Sequence, residues 1–204
     1  MILEEIDSKV NGKIKVVRSL GFGTYIQVDN LTQSGGIINA IWKGVLRKIK
    51  SQKLKVKNCL ILGLGGGTVA KLIHKNWPEA EITGVDLDPV MVEMGKKYLE
   101  LDKIPIDIRI QDAYKFEYKI KYDLIIVDLY LGREFPAKFE SDHFIECTRP
   151  GLVHSGLVIF NRLYFGDQRP KAVRFGNKLK KFFNKVDFVY PQANLMFLCQ
   201  TVRI

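Results

Sequence analysis

The 204-residue sequence lacks several features that mark particular classes of protein. It has three cysteines, Cys59, Cys147 and Cys199, which do not have the spacing of metal ligands and which lie in or beside apolar segments. We therefore expect reduced thiols and no metal site. No stretch approaches the roughly eighteen consecutive apolar residues of a membrane span, and the N-terminus does not resemble a signal peptide. These absences predict a cytoplasmic protein without membrane association.

Negative charge is in short supply, because 32 Lys and Arg residues face 22 Asp and Glu, a net charge of +10. Much of the excess lies in two segments, residues 43–57 and 169–185. Basic faces of this kind can bind anions, including nucleic acid. Neither segment interleaves aromatic residues in the manner of a base-stacking surface. The sequence therefore favours a solvated basic surface over a nucleic-acid partner.

From residue 57 onward, strand-like and helix-like segments alternate. The predicted strands are 57–62, 81–87, 106–110, 122–129, 156–162, 186–190 and 195–203, and the predicted helices are 67–76, 89–100, 139–149 and 168–184. Alternation of this kind produces right-handed crossovers and a parallel sheet covered on both faces. The last two strands are separated only by "PQAN", which is too short for a crossover, so the final strand should be antiparallel. The predicted fold class is α/β, with a Rossmann-like, seven-stranded, mostly parallel sheet and helices on both faces.

Residues 1–33 form a separate N-terminal β element in this prediction. The β-branched segments "GKIKVVRSL" and "GTYIQVDN" flank Gly21-Phe22-Gly23 and predict a hairpin, with residues 2–6 as a candidate third strand. The α/β domain, residues 34–204, then begins with the amphipathic pattern "SGGIINAIWKGVLRKIK", which predicts a helix.

A glycine-rich loop stands between the first α/β strand and its helix, in "CLILGLGGGTVAKLI". Glycine lets the backbone approach a ligand closely at a helix N-terminus. A dinucleotide loop needs Gly or Ala at the sixth position, where this sequence has Thr68. The G-x-G-x-G spacing instead fits an S-adenosylmethionine loop, and the candidate contacts are Gly63, Gly65 and Gly67.

Acidic residues end the next two strands. Asp86 can accept hydrogen bonds from two ribose hydroxyls, and Asp112 can accept one from the exocyclic amine of adenine. Ala113 follows as a further candidate cofactor contact. Each aspartate could instead cap a helix, although Asp88, just before Pro89, is the better cap on its side. Because these residues end successive parallel strands, they should meet at one edge of the sheet.

These motifs resemble the class I S-adenosylmethionine-dependent transferases and, more narrowly, the spermidine synthase (polyamine synthase) group. "VDLDPVMVEMGKKYL" is similar to the group's V-E-I-D-P-x-V-V-x-x-A-K-K-Y-L, "YDLIIVDLY" to Y-D-V-I-I-V-D-S-S-D-P, and "YIQVDNLTQSG" to L-D-G-x-x-Q. The resemblance implies that Asp128 is the catalytic aspartate and that Gln33 reaches the cofactor or substrate. It also implies a homodimer.

Two departures from the group bear on the reaction. The group's loop, G-G-G-D-G-G, holds the amine of the aminopropyl donor with an Asp that "GLGGGT" lacks, and Leu131 replaces the Asp that grips the polyamine. Burying an ammonium group without a partner is costly. The sequence thus favours methyl transfer from S-adenosylmethionine to a small-molecule acceptor over aminopropyl transfer from decarboxylated S-adenosylmethionine. A non-catalytic nucleotide-binding module that docks on nucleic acid is a third reading.

The expected chemistry centres on Asp128, which follows the apolar run "LIIV". Partial burial there would raise its pKa toward a value useful for a base, although the residue could also cap the following loop. Residues 129–140 should form a mobile segment over the site, with Tyr130 and Arg133 as candidate substrate contacts. Asn161, at the end of "GLVIFN", should face the same edge and is a third candidate substrate contact.

Overall fold

The computed structural model describes residues 1–201 and contains two β-sheets. Positions 202 and 203 of the predicted last strand lie outside the described residues. The strands are β1 (Ile2–Ser8), β2 (Gly12–Ser19), β3 (Gly23–Val28), β4 (Leu31–Gly35), β5 (Asn58–Leu62), β6 (Glu81–Asp86), β7 (Asp107–Ile110), β8 (Tyr122–Val127), β9 (Leu152–Leu163), β10 (Lys185–Val189) and β11 (Asn194–Gln200). The helices are α1 (Gly36–Ser51), α2 (Thr68–Asn76), α3 (Pro89–Leu99), α4 (Asp142–Thr148) and α5 (Gln168–Leu179).

The N-terminal sheet is antiparallel with strand order β1-β2-β3-β4. The predicted hairpin is confirmed as β2–β3, but the sheet is larger than predicted because β4 adds a fourth strand. Asp29 and Asn30, with φ of 49° and 60°, form the tight turn that returns the chain into β4. Positive φ at both central residues matches the twist of a two-residue hairpin. β4 places Ser34 against Gly66 of the glycine-rich loop and Gln33 against Gly132.

The seven-stranded sheet has the order β10-β11-β9-β8-β5-β6-β7. β5 to β9 are parallel to their neighbours within this group, and β11 is antiparallel to both β9 and β10. The predicted fold class and the antiparallel last strand are therefore confirmed. α1 and α2 pack on one face of the sheet, and α4 and α5 pack on the other.

A third apolar cluster joins the N-terminal sheet to α3. Ile14, Val16, Ile26 and Val28 of the N-terminal sheet pack against Met91, Met94 and Leu99 of α3. The N-terminal sheet is thereby attached over α3, next to the glycine-rich loop.

Among the described residues, the three largest differences from the predicted boundaries are in α4, α5 and β9. α4 begins at Asp142 because Ser141 interrupts the predicted helix and caps it, with its Oγ accepting from Phe144 N at 3.2 Å. α5 ends at Leu179 rather than at 184, and the chain then turns to bury Phe183 beside Phe160. β9 begins at Leu152, four residues early. Within residues 1–201, no helix is long and apolar enough to cross a membrane.

Candidate active site

A cavity opens at the carboxyl edge of the parallel strands, where the N-terminal sheet meets the α/β sheet. Most of the residues singled out from the sequence line it. They are Gln33, Gly63, Gly65, Asp86, Asp112, Ala113, Asp128 and Tyr130. The cavity thus brings together residues that are up to 97 positions apart, from Gln33 to Tyr130.

The backbone N–H groups of the glycine-rich loop are all used within the protein. The pairs are Gly63 and Leu64 to Val85 O (2.9 and 3.0 Å), Gly65 to Asp86 Oδ2 (2.6 Å), Gly66 to Ser34 Oγ (2.7 Å) and Gly67 to Leu64 O (3.0 Å). A phosphate site at such a loop depends on free N–H donors. Residues 63–67 therefore offer a pyrophosphate no free backbone donor.

Close packing explains two of the loop glycines. A Cβ on Gly63 would lie 2.1 Å from the backbone O of Asp128, so only glycine lets β5 end this close to β8. Gly67 has φ of +83°, and a Cβ there would lie 2.4 Å from Leu101 Cδ1. Gly67 is outside the cavity lining, so its place in the structure is set by Leu101.

Asp86 ends β6 and organises the loop. Its carboxylate accepts from Gly65 N at 2.6 Å and from Asp88 N at 2.9 Å. Burial raises the pKa of Asp86, and these hydrogen bonds partly oppose that rise. The side chain therefore lines the cavity with its position fixed by backbone donors on both sides.

Asp88 caps α3, as the sequence predicted. Its Oδ1 accepts from Val90 N and Met91 N, and its Oδ2 accepts from Ser8 Oγ (2.6 Å) and Asn11 Nδ2 (2.7 Å). The residue has 0% exposure. A fully buried carboxylate needs such donors, so the cap also ties the N-terminal sheet to α3.

Asp112 follows β7 and pairs with Lys138 at 2.5 Å. Burial raises the pKa of Asp112, but the hydrogen bonds from Lys138 and Tyr114 N outweigh it and hold the pKa below its usual value. Lys138 also stands 4.8 Å from the centroid of the Phe139 ring. Asp112 is thus an ionised acceptor at the cavity wall, with a cation from the 129–140 segment beside it.

Asp128 directly follows β8 and has partners on two other elements. Asn161 Nδ2 donates to its Oδ1 at 2.8 Å, and Trp42 Nε1 of α1 donates to its Oδ2 at 3.2 Å. Burial raises the pKa of Asp128 to about 6, with both hydrogen bonds opposing the rise. A carboxylate with this pKa can accept a proton near neutral pH.

The 129–140 segment closes one side of the cavity. Tyr130 OH accepts from Leu163 N at 2.7 Å, and Gln33 Nε2 donates to Gly132 O at 3.1 Å. Arg133, predicted as a substrate contact, is exposed and does not line the cavity. Asn161 is also outside the lining and reaches the site through Asp128.

The sequence prediction missed four residues that shape the site: Ser34, Trp42, Thr68 and Lys138. Ser34 and Thr68 line the cavity, and Thr68 Oγ1 accepts from Gly35 N at 2.6 Å. Trp42 belongs to the apolar stripe of α1, and this pattern predicts that its side chain lies in the core. The pattern does not indicate that Trp42 forms a hydrogen bond with Asp128. The basic side chain of Lys138 carried no signal that it would pair with Asp112.

The cavity residues fit a nucleoside. Carboxylates end three parallel strands, apolar side chains of Leu64, Leu87 and Met91 supply contact area, and no loop N–H is left for a phosphate. The site can hold ribose hydroxyls at Asp86, an adenine amine at Asp112 and a proton acceptor at Asp128.

Comparisons with known proteins agree with this geometry. Residues 59–148 match the family model described as "Methyltransferase domain". The chain is 41% identical over 148 residues to a polyamine aminopropyltransferase of Aquifex aeolicus. The aligned region covers 67% of this chain and 29% of that protein. Across eight curated relatives, the match spans between 20% and 65% of the relative's length.

Two solved structures share the fold. The spermidine synthase of Thermotoga maritima superimposes with a TM-score of 0.79 at 16% identity, covering 100% of this chain and 73% of that one. Human methyltransferase-like protein 13, solved in complex with SAH, superimposes with a TM-score of 0.64 at 21% identity, covering 79% of this chain and 80% of that one. One neighbour is thus named for polyamine synthesis and the other for methyl transfer.

Proposed function

The chain is a spermidine synthase-like protein with the class I methyltransferase fold, and from that premise we propose that it transfers a methyl group from S-adenosylmethionine to a small-molecule acceptor. The observation that carries the proposal is the arrangement of Asp86, Asp112 and Asp128 around one cavity beside a loop without free N–H groups. When bound, S-adenosylmethionine supplies a methyl group activated by its sulfonium. The protein then has to orient the acceptor, exclude water and accept a proton.

The carboxylates of the cavity support S-adenosylmethionine over its decarboxylated form. Asp86 is engaged by two backbone N–H groups and Asp112 by Lys138, so Asp128 is the one lining carboxylate without a cation or backbone donor. Leu131, also in the lining, is apolar. A polyamine acceptor and the amine of an aminopropyl donor would share a single carboxylate, which leaves one ammonium group poorly compensated.

Asp128 is the proposed base. Its raised pKa means that it is ionised above about pH 6 yet basic enough to take a proton from an acceptor that loses one during transfer. Asn161 and Trp42 hold both oxygens in place, and Tyr130 lines the adjoining wall. The proposed acceptor therefore binds between Asp128, Tyr130 and Gln33.

Aminopropyl transfer is the second candidate. It is favoured by the N-terminal sheet, which this chain shares with a spermidine synthase over its full length, and by the 41% identity to an aminopropyltransferase. Both candidates use Asp128 in the same place, so donor choice separates them.

Titration calorimetry with S-adenosylmethionine and with its decarboxylated form tests the donor. We expect tighter binding of S-adenosylmethionine, and loss of that binding in Asp86→Ala, with Asp123→Ala as a control carboxylate at the opposite end of β8. Mass spectrometry of a metabolite extract incubated with isotopically labelled methyl donor should then reveal a methylated product. Preference for the decarboxylated donor, with spermidine formed from putrescine, would establish the second candidate instead. Light scattering on the same samples tests the proposed homodimer.

A further inference from the structure

A second, larger groove lies behind the glycine-rich loop, between the β2–β3 turn, α1 and α2. Its charged lining consists almost entirely of cations: Lys43 and Arg47 of α1 and Lys71 and Lys75 of α2. The one acid, Glu100, is already bound by Lys71 at 3.0 Å and Lys103 at 2.8 Å. We propose that this groove, which we call the α1–α2 groove, binds the phosphate backbone of single-stranded nucleic acid.

The two helices that form the groove contain no acidic residue. α1 carries four Lys or Arg residues and α2 carries two, while neither carries Asp or Glu. A solvated helix face usually mixes the two signs, because acid–base pairs one turn apart stabilise it and like charges destabilise it by a few tenths of a kcal/mol. Here Lys43 precedes Arg47, and Lys71 precedes Lys75, by one turn. Lys71 is offset by Glu100, but the Lys43–Arg47 pair has no acidic partner within residues 1–201, and a bound anion would relieve its repulsion.

Three of the four groove cations form no ion pair within residues 1–201, whereas some lysines on other faces of the protein are paired. Lys97 pairs with Glu4 at 2.7 Å and Lys178 pairs with Asp142 at 2.6 Å. Within residues 1–201, by contrast, Lys43, Arg47 and Lys75 form no ion pair. Three exposed cations are therefore free to meet an external anion.

The spacing of these cations favours a chain of phosphates. Residues four apart on a helix are separated by about 6 Å along its axis, and each helix contributes one such pair. A single phosphate cannot contact both ends of both pairs, whereas a phosphodiester chain can. Asn39 adds an exposed amide donor along the same groove.

The rim of the groove favours a single strand over a membrane. Phe22, at the β2–β3 turn, is 59% exposed and lines the groove, so a base can stack on its ring. The groove is a concave cleft between two helices and the turn, a shape that receives a strand rather than a flat bilayer surface. The structure brings Phe22 to the basic residues of α1, although the basic segment itself contains no aromatic pattern of this kind.

Fluorescence anisotropy tests the groove with the full chain and without cofactor, so the outcome does not depend on the proposed transferase activity. The probe is a labelled oligothymidylate of about 16 nucleotides, and an RNA of the same length is a second probe. The test variant is Lys43→Gln/Arg47→Gln/Lys75→Gln. The matched control, Lys171→Gln/Arg174→Gln/Lys181→Gln, removes the same charge from the second basic segment.

We expect the groove variant to bind the oligonucleotide at least about tenfold more weakly. The slope of log K against log [salt] should become less steep by about 2, since each lost phosphate contact reduces the slope by about 0.7. The control should stay within about threefold. Phe22→Ala should weaken binding of the single strand more than that of a duplex. All substituted side chains are exposed, and unchanged circular dichroism checks the fold.

Several results would overturn the proposal. They are equal losses in the groove and control variants, no binding by the unmodified chain at low salt, and competition by inorganic phosphate as strong per phosphate as that by the oligonucleotide. Binding to phosphatidylserine vesicles that the groove variant loses, without any oligonucleotide binding, would assign the groove to a membrane instead.

Discussion

Asn161, near the end of β9, and Asp128, directly after the neighbouring parallel strand β8, are joined by a hydrogen bond of 2.8 Å. Asn161 in turn accepts from Asn194 Nδ2 at 2.9 Å, and both amides are 5% exposed. A buried chain of amides has few alternative partners, so it fixes the direction of the Asp128 carboxylate. The position of the proposed base is therefore set by β9 and β11 as well as by its own strand.

Asp128→Asn should separate catalysis from binding and from stability. Turnover should fall by about 10²–10⁴-fold, as expected for loss of a positioned base, while cofactor affinity changes by only a few-fold. Near pH 7 the variant should be more stable than the unmodified protein by about 2 kcal/mol. The raised pKa of Asp128, about two units above its usual value, means that the ionised carboxylate destabilises the folded state by about 3 kcal/mol, and Asn removes that cost. The Trp42 Nε1–H group, left without its carboxylate acceptor, offsets part of the gain.

The sign of that stability change can be checked by pH. The folded protein holds the Asp128 proton more tightly than the unfolded chain, so stability falls as the pH rises from about 4 to about 6. The advantage of Asp128→Asn should appear across this window and vanish below it. Urea denaturation at several pH values measures it. Full turnover in the variant would remove Asp128 from the catalytic role.

Trp42→Phe should shift the pH dependence of turnover. The unmodified protein should lose the proposed activity below about pH 6, where Asp128 becomes protonated. Trp42 Nε1 stabilises the ionised form, so its removal should raise the pKa and move this acidic limb to higher pH. Trp77→Phe is the matched control, because Trp77 Nε1 donates to Leu54 O, remote from the site. If the acidic limb of the pH profile does not move in Trp42→Phe, the assignment of that limb to Asp128 is contradicted.

Much of the α/β sheet could be predicted from the sequence because its signals are local. The apolar run of β5, the glycine turn and the pattern of α2 occupy one continuous stretch, and Asp88 stands directly before Pro89 as a helix cap should. The N-terminal sheet was only partly predicted, because β4, "LTQSG", has neither alternation nor β-branched enrichment.

The remaining site contacts join distant parts of the chain. Trp42 meets Asp128 across 86 positions, and Ser34 meets Gly66 across 32. An amphipathic pattern shows which face of a helix is buried, but not which buried side chain finds a polar partner on another element. Those pairs follow from the order of strands in the sheet, which local patterns do not specify.

Thr68→Val should weaken binding of S-adenosylmethionine through its amino-acid end. Thr68 Oγ1 accepts from Gly35 N, so within residues 1–201 its hydroxyl hydrogen is free to donate into the cavity, where a carboxylate can accept it. We expect about tenfold weaker binding of S-adenosylmethionine and little change for 5′-methylthioadenosine, which lacks the carboxylate. Thr68→Ser, which keeps the hydroxyl, is the control. Equal losses for both ligands in calorimetry would argue against carboxylate recognition.

Ser8→Ala should destabilise the protein by about 1–3 kcal/mol. The substitution removes the hydroxyl that donates to Asp88 Oδ2, and Asp88 has 0% exposure. Ser51→Ala, which removes an exposed hydroxyl bonded to Lys48 O, should change stability by less than about 0.5 kcal/mol. Urea denaturation of both variants measures the difference. Equal stability of the two variants would show that Asn11 and the cap suffice for Asp88.

The glycine-rich loop has its amides paired before any ligand arrives, and this has a thermodynamic consequence. Ordering a backbone residue costs about 1–2 kcal/mol of conformational entropy. In residues 63–67 that cost is met during folding, so ligand association does not have to meet it again. The heat capacity change of ligand binding should then be proportional to the apolar surface buried at Leu64, Leu87 and Met91, without a contribution from folding of the loop.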